Sequence, residues 1–292
     1  MNTGLPLPIR LRDLTHIAAR HLFLELKHMT ASTGKVWSKK EAAVAWVIFD
    51  NVARHNAMSL AMWEELSAIL HDLSQDKMIR VLILRGAGRK AFVSGADISE
   101  FEEKRATLAA IHAYNAAARA AQNSIMAIQK PVIAMINGFC IGGGLGIALC
   151  CDLRIASEAS CFGIPAAKLG VGYRGESIKR MAEIIGPTHA ANIFFTGRQF
   201  TAQEALQMGL INYSLPAVSL ENFVADYAAD IAANAPLTIA AVKQTLIEIY
   251  KDPSDRDIAL CNAMEDACST SDDYKEGRAA FKEKRRPMFK GS

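Results

Sequence analysis

The sequence predicts an α/β protein: a layered domain of alternating strands and helices, followed by a helical C-terminal region. Short apolar runs rich in branched residues alternate with longer segments whose apolar residues recur at helical spacing. Strands that alternate with helices are typical of a sheet covered by helices. After about residue 200 the helical spacing continues alone, and no strand is predicted there.

The first strand is predicted at 43–51, where the sequence AVAWVIFDN is almost wholly apolar. A helix is predicted at 59–76, because its apolar residues fall near one face. These residues are Leu60, Trp63, Leu66, Leu70 and Leu73. Further strands are predicted at 81–86, 131–138 and 152–157.

An alanine-rich helix is predicted at 105–129, between the second and third strands, and a helical extension of unassigned purpose at 10–28. In the C-terminal region Thr201 and Glu204 have the spacing of a capping box. Gly209 stands where that helix would stop. Two more helices are expected at 221–235 and 237–252, and a helical tail of this kind favours an oligomer.

Composition excludes several classes of protein. The 292 residues carry a net charge of +3, which gives no case for nucleic-acid binding. The six cysteines form no CxxC pair, so we expect free thiols rather than disulfides or a zinc site. No apolar run approaches the ~20 residues of a membrane helix, and the N-terminus does not resemble a signal peptide. We therefore expect a cytoplasmic protein without a membrane partner.

Two glycine-containing loops follow predicted strands, at 90–101 and within 137–152. A glycine loop between a strand and a helix directs free backbone N–H groups outward and favours an anion. The fingerprints of a dinucleotide site and of a P-loop are both missing. An oxyanion hole, in which two N–H groups hold a developing negative oxygen, and tight helix–strand packing without a ligand both remain open.

Four segments in order resemble the enoyl-CoA hydratase/isomerase (crotonase) family over roughly residues 35–290. The segments are AFVSGADISEF, KPVIAMINGFCIGGGLGIALCCDLRIAS, FGIPAAKLGVGY and FTGRQFTAQEALQMGLIN. The ending EGRAAFKEKRRPMF is also similar to that family's C-terminal tail. Each segment alone is a weak signal, whereas their common order and spacing are specific.

The resemblance implies a crotonase-like spiral of ββα turns with a helical C-terminal oligomerisation region, assembled as a homotrimer or as a hexamer made of two trimers. It implies an N-terminal extension at 1–34, a spiral core at 35–200 and a helical region at 201–292. The implied substrate is an acyl- or enoyl-CoA thioester. Coenzyme A would enter as part of that substrate, with no permanently bound cofactor and no metal.

The resemblance also implies site residues. The oxyanion hole would be formed by the N–H groups of Ala96 and Gly143. Three of the implied contact residues have a further interpretation. Arg54 is alternatively a surface charge, and Asp97 is also predicted to cap the following helix. Lys284 could reach the coenzyme's phosphates from a neighbouring subunit. The residues implied to contact the substrate or its coenzyme are Arg54, Asn56, Ala57, Asp97, Ile98, Gly142 and Lys284.

The sequence departs from the family at its acid–base positions. Hydratases of the family use two glutamates, and the corresponding positions here hold Gly146 and Ala166, which cannot move a proton. The usual hydratase mechanism is therefore in question. Tyr173 is a candidate proton donor, with a packing role as the alternative, and Glu176 is a candidate base, with a helix N-terminal charge as the alternative.

Three functions remain open from these residues. The first is a hydratase/isomerase-type transformation of a CoA thioester through an enolate. The second is a malonyl-type acyl-CoA decarboxylase, in which loss of CO₂ generates the enolate and Arg174 is a candidate for holding the carboxylate. The third is a non-catalytic acyl-CoA-binding protein. A nicotinamide oxidoreductase is disfavoured by the missing fingerprint.

Overall fold

The computed structural model describes residues 34–97 and 107–292. The strands in chain order are β1 (Lys35–Glu41), β2 (Val44–Asp50), β3 (Val81–Gly86), β4 (Ala91–Val93), β5 (Val132–Ile136), β6 (Phe139–Ile141), β7 (Leu153–Ser157), β8 (Cys161–Gly163), β9 (Phe200–Thr201) and β10 (Tyr213–Leu215). The helices are α1 (Leu60–Gln75), α2 (Leu108–Ala127), α3 (Gly143–Cys150), α4 (Ala166–Leu169), α5 (Gly175–Thr196), α6 (Ala202–Gln207), α7 (Leu220–Ala232), α8 (Pro236–Ile249), α9 (Ile258–Thr270) and α10 (Asp272–Glu283).

The strands form two sheets, to which successive strands along the chain contribute in turn. One sheet has the order β1-β2-β3-β5-β7-β10, and the other has the order β4-β6-β8-β9. The inner strands are parallel, whereas β1 and β9 run antiparallel to their neighbours. Successive strand pairs β3–β4, β5–β6 and β7–β8 each place one strand in each sheet, and a helix follows. This arrangement confirms the predicted ββα spiral.

Alternate residues of the six-stranded sheet face two separate apolar layers, as the period of a strand requires. Val47 and Phe49 of β2 face the layer that also holds α1, α2 and α3. Trp46 and Ile48 face the opposite layer, which α7 covers. Because both faces are buried, these strands appear in the sequence as continuous apolar runs rather than as alternating ones.

Helix α1 forms where its apolar spacing predicts. Ser59 caps it, since the Ser59 hydroxyl accepts a hydrogen bond from the Met62 N–H at 3.2 Å. Four of the five predicted apolar residues are buried, and Leu60 is half-buried. The predicted capping box is also confirmed, since Thr201 and Glu204 exchange both of its hydrogen bonds at the start of α6.

The expectation of helices alone after residue 200 is wrong in one place. Residues Tyr213–Leu215 form β10, which pairs with β7 at the edge of the larger sheet. Three residues are too few to show a strand period, and only their partner in space defines them. The predicted extension at 10–28 lies outside the described residues. Within them, no helix is long and apolar enough to span a membrane.

None of the six cysteines forms a disulfide. Cys140 lies in the core between the sheets and helices, and burial raises the pKa of its thiol well above the ordinary value. His112 is exposed on α2, where the sequence predicted a surface position. Cys140 is therefore part of the packing, and His112 is a surface residue.

Arg154 joins β7 to the segment that leads into β10. It is 6% exposed, its Nε donates to the Leu210 carbonyl at 2.8 Å, and one of its terminal nitrogens donates to the Cys151 carbonyl at 2.7 Å. Burial lowers the pKa of the guanidinium from its ordinary value. Three hydrogen bonds to backbone carbonyls, the third a longer one to Ala148, offset the loss of hydration.

Replacing this arginine is therefore expected to destabilise the fold. Arg154→Met should lower the free energy of unfolding by about 2–4 kcal/mol, because it leaves buried carbonyls without donors. Urea unfolding followed by circular dichroism measures the change. Arg89→Met is the matched control, since Arg89 is exposed. Equal midpoints for the two variants would contradict the assignment.

Candidate active site

Three loops meet at one end of the spiral. Loop 1 comprises residues 54–58, loop 2 residues 94–97 and loop 3 residues 142–144. Loops 1 and 2 are joined by backbone hydrogen bonds from Met58 N to Gly95 O at 2.9 Å, from Asp97 N to Met58 O at 3.0 Å and from Ser94 N to His55 O at 3.1 Å. These bonds hold the two loops in a fixed register.

Loops 2 and 3 approach each other through glycines. A Cβ atom placed on Gly142 would lie 3.9 Å from the Gly95 Cα, and one on Gly95 would lie 3.5 Å from the Ile141 carbonyl oxygen. Both glycines have positive φ angles, +119° at Gly95 and +54° at Gly142. Only glycine adopts such angles at little cost, so the sequence requires glycine at both positions.

Gly144 brings α3 against the end of β4. A Cβ atom on Gly144 would lie 2.0 Å from the Val93 carbonyl oxygen, closer than any side chain can approach. The first turn of α3 therefore rests directly on the backbone that continues into loop 2. The glycine triplet of the sequence thus serves close packing as well as the turn, as the packing alternative for this loop predicts.

Each of loops 2 and 3 presents a backbone donor. Met58 and Ala96 form a parallel β-bridge, in which Met58 donates to the Gly95 carbonyl and accepts from the Asp97 N–H. In such a bridge the N–H of the central residue, Ala96, points away from Met58. The N–H of Gly143 begins α3 and has no carbonyl one turn before it to bind. Neither N–H donates a hydrogen bond to any residue in the described parts of the chain.

Aromatic side chains form the wall beside Gly143. The Trp63 ring lies 3.7 Å from the position of a Gly143 Cβ atom, and it meets the Tyr114 ring edge-on at 6.4 Å. The Tyr114 hydroxyl donates to the Met58 carbonyl at 3.1 Å. The Trp63 Nε1 is buried, and no residue in the described parts of the chain accepts a hydrogen bond from it. The site is therefore enclosed on this side by α1 and α2.

Loop 1 contributes an ion pair and an internal brace. Arg54 donates to the Asp97 carboxylate at 2.7 Å, and the arginine side chain is 46% exposed whereas Asp97 is 4% exposed. The helix that Asp97 was predicted to cap would begin within residues 98–106. These residues, which include Ile98, lie outside the described parts of the chain. The structure thus links Arg54 to loop 2 rather than leaving it as an isolated surface charge.

Asn56 and Ala57 are buried. The Asn56 amide donates to the Ala87 and Ala91 carbonyls at 2.9 and 2.8 Å, and its oxygen accepts from the Asn51 N–H at 3.0 Å. Its side chain is thus fully used inside the protein. Asn56 shapes loop 1, and its part in binding would be indirect.

Tyr173 and Glu176 lie at the start of α5. Tyr173 is half-buried, and its ring packs against Phe194 at 5.0 Å, as its alternative packing role predicts. Burial raises the pKa of Tyr173 to about 12, so its hydroxyl keeps its proton at neutral pH. Glu176 is exposed in the first helical turn. Within the described residues neither side chain forms a hydrogen bond with the three loops.

Lys284 and Arg174 are both exposed and distant in sequence from the loops. Lys284 ends α10 with a φ angle of +54°. Arg174 precedes α5. No hydrogen bond or ion pair connects either side chain with the three loops in the described ranges. The contact of Lys284 with coenzyme phosphates therefore stays a prediction, as does the carboxylate role of Arg174.

The two positions of the implied glutamates have different surroundings. Ala166 is buried at the start of α4. Gly146 lies one turn into α3, and a Cβ atom there would be 3.0 Å from the Gln122 Nε2. The amide of Gln122, on α2, thus stands next to the space that a residue-146 side chain would enter. Sequence reasoning missed Gln122; the available signal was a polar residue within an alanine-rich helix.

The described residues contain no group of three or more histidine, cysteine, aspartate or glutamate side chains suited to a metal ion. The arrangement offers two preorganised N–H donors, one on loop 2 and one at the start of α3. Such donors can bind an oxygen that becomes negative during a reaction. The helix dipole of α3 adds a positive partial charge at the same point.

The chain is similar to known proteins over most of its length. The family model for enoyl-CoA hydratase/isomerase matches residues 39–292. The chain is 32% identical over 248 residues to a short-chain-enoyl-CoA hydratase from Clostridium acetobutylicum, covering 85% of this chain and 94% of that protein. It is also 32% identical over 251 residues to an (E)-benzylidenesuccinyl-CoA hydratase from Thauera aromatica, covering 85% and 96%.

A solved structure is also similar. The crystal structure of an enoyl-CoA hydratase/carnithine racemase from Magnetospirillum magneticum matches with a TM-score of 0.83 and 36% identity. The match covers 89% of this chain and 97% of the other. The spiral and the helical C-terminal region are thus shared with solved members of that group.

The close approach at Gly144 gives a direct prediction. Gly144→Ala is expected to destabilise the protein by about 1–3 kcal/mol, because the added methyl group must push α3 away from Val93. Thermal unfolding measures the effect. Gly172→Ala is the control, since no atom lies within 4 Å of its Cβ position and its φ angle is not positive. Equal melting temperatures for the two variants would contradict the geometry described.

Proposed function

Because the chain belongs to the enoyl-CoA hydratase/isomerase family, we propose that it binds an acyl- or enoyl-CoA thioester and stabilises an enolate of the acyl group. The N–H groups of Ala96 and Gly143 form the oxyanion hole. One observation carries this proposal: two backbone donors with no acceptor among residues 34–97 and 107–292 lie on adjacent loops that are held by hydrogen bonds and glycine contacts.

The physical basis is the change in charge at the thioester oxygen. As an enolate forms, this oxygen becomes negative, and donors already in position strengthen their interaction without rearranging. Removing one such donor typically raises the barrier by ~3–4 kcal/mol. Loops 2 and 3 suit this role, since their backbones are fixed before any ligand arrives.

The reaction that follows depends on proton transfer. Gly146 and Ala166 supply no acid or base, so the proposal does not include water addition by a pair of glutamates. Tyr173 can donate a proton and is the candidate we retain, with Glu176 as a candidate base. The names of the two hydratase relatives specify different acyl groups, short-chain enoyl and benzylidenesuccinyl. Similarity to these proteins therefore does not identify the substrate of this chain.

Turnover separates the three functions. The protein is incubated with crotonyl-CoA, methylmalonyl-CoA and ethylmalonyl-CoA, and the products are identified by mass. Hydration or isomerisation supports the first function, and loss of CO₂ supports the decarboxylase. Retained CoA binding without any turnover would leave acyl-CoA binding as the function for these substrates.

We also propose that the chain assembles as a trimer or as a pair of trimers. Exposed apolar side chains lie along one face of α8, where another copy would remove them from water. They are Val242, Leu246, Ile249 and Tyr250. Light scattering during size-exclusion chromatography tests the assembly, and a monomer at micromolar concentration would contradict it.

The oxyanion hole can be tested without changing a side chain. Replacing Ala96 with its α-hydroxy acid analogue turns one amide into an ester, which removes the N–H and leaves every side chain unchanged, although it also weakens the Gly95 carbonyl as an acceptor. Bound cinnamoyl-CoA should absorb at longer wavelength with the natural protein, because hydrogen bonds polarise its carbonyl group. The analogue should lose most of that shift and should lower any turnover by about 10²–10³-fold.

The same replacement at Ala217, in an exposed turn, is the matched control. It should retain both the spectral shift and turnover. An unchanged shift after replacement at Ala96 would remove this N–H from the site. Failure of the natural protein to bind cinnamoyl-CoA and every other CoA thioester would refute the proposed function itself.

Adding the implied glutamates should create hydratase activity. Gly146→Glu needs room, because the Gln122 amide lies 3.0 Å from the Cβ position. We therefore expect the triple variant Gly146→Glu, Ala166→Glu, Gln122→Ala to hydrate crotonyl-CoA at least about 100-fold faster than the natural protein. Loss of the enoyl absorbance measures the rate.

The control for this variant carries glutamine at 146 and 166, together with Gln122→Ala. It has nearly the same bulk but cannot transfer protons, so it should show no gain. A gain that appears equally in both variants would point to altered binding rather than to acid–base chemistry. No gain in the glutamate variant, with its fold intact, would contradict the implied correspondence of positions.

A further inference from the structure

Helices α2 and α3 lie side by side and run in the same direction. Near the start of α3, Gly146 faces Gln122 of α2. One turn further along both helices, Met126 lines a cavity together with Leu149 and Cys150. The turn of α2 that precedes Gln122 therefore lies beside the N-terminal end of α3. That turn contains Arg119.

Arg119 and Gln122 are three residues apart and hence on the same side of α2. Among the described residues the Arg119 Nε is buried and has no hydrogen-bond partner. No ion pair or hydrogen bond connects either side chain with another residue in the described portion of the chain. A guanidinium keeps its charge at any physiological pH, so this buried Nε–H lacks the acceptor that such a group normally has.

The Gly143 N–H fixes where the thioester oxygen would sit. Gly146 follows it by three residues, a separation of roughly 5–6 Å between side-chain positions on a helix. An acyl group held at Gly143 would thus bring its next few carbons past Gln122 and Arg119. These side chains offer N–H donors and a positive charge at that point, where an acid–base group would otherwise be expected.

We propose that Arg119 and Gln122 bind a carboxylate on the acyl group, so that the site selects CoA thioesters of short dicarboxylic acids. An arginine can hold a carboxylate through two parallel hydrogen bonds, and the amide adds a third donor. This inference rests on the proposed function, because the oxyanion hole places the acyl group. Arg119 and Gln122 act here as specificity-determining residues.

A phosphate of the coenzyme offers the same anionic chemistry, so the experiment separates the two sources. Isothermal titration compares succinyl-CoA with butyryl-CoA, malonyl-CoA with propionyl-CoA, and free CoA. Mass spectrometry of each mixture records whether the thioester is consumed. The natural protein should bind at least one dicarboxylic thioester about tenfold or more tightly than its neutral counterpart of equal length.

Arg119→Met should abolish that preference while changing the affinities for the neutral thioesters and for free CoA by less than about threefold. Gln122→Met should remove a smaller part of it. Arg278→Met, an exposed arginine on α10, is the matched control and should leave the preference intact. Circular dichroism melting shows whether each variant keeps its fold.

Three results would overturn the proposal. One is no preference for carboxylated thioesters in the natural protein. Another is an equal loss of affinity for free CoA in Arg119→Met, which would assign Arg119 to a coenzyme phosphate. The third is a retained preference in folded Arg119→Met. If butyryl-CoA still binds in any of these cases, the proposed function stands and only the carboxylate selectivity is refuted. If no CoA thioester binds, both the proposed function and the selectivity are refuted.

Discussion

The backbone of Val93 and the first turn of α3 lie so close together that residue 144 cannot carry a side chain. This contact joins the smaller sheet to the helix that begins the site. It sets the position of the Gly143 N–H relative to loop 2. The positive φ angles at Gly95 and Gly142 allow the two loops to approach without side chains between them. Much of the site's geometry follows from these three glycines.

The surroundings of α3 strengthen the donors at its start. The helix is apolar on every side, and its buried residues include Leu145, Ile147 and Leu149. Gly143, at its start, is half-buried and borders on this apolar packing. A hydrogen bond formed at the edge of the core is stronger than one formed fully in water. The core thus supports the proposed donor as well as the fold.

Local signals predicted much of the fold and part of the site. The apolar spacing of α1, the strand at 81–86 and the capping box at Thr201 are short-range features, and the structure has them in place. The two glycine loops were visible for the same reason, since a loop that needs glycine shows it in the sequence. The strand β10 was not visible, because its definition comes from β7, far away in the chain.

The same distinction explains the missed side chains. Asn56 was implied to contact the coenzyme, yet its amide is satisfied by carbonyls more than 30 residues away in sequence. Gln122 and Arg119 lie in an alanine-rich helix with no motif to mark them, and it is the packing of α2 against α3 that places Gln122 beside Gly146. Spacing predicts backbone positions well, whereas side-chain environments depend on contacts that no local pattern contains.

The ββα spiral places the proposed backbone donors on one set of elements and the side chains that would meet the acyl group on another. In the proposed site the oxyanion donors come from strand ends and glycines, so they are backbone atoms that substitution of side chains leaves in place. The acyl group would instead meet α2, a helix held mainly through its Tyr114, Ala121 and Ile125 face. Changes on its other positions can alter the substrate while the donors stay in place. One scaffold can therefore diversify its substrates by evolution on a single helix.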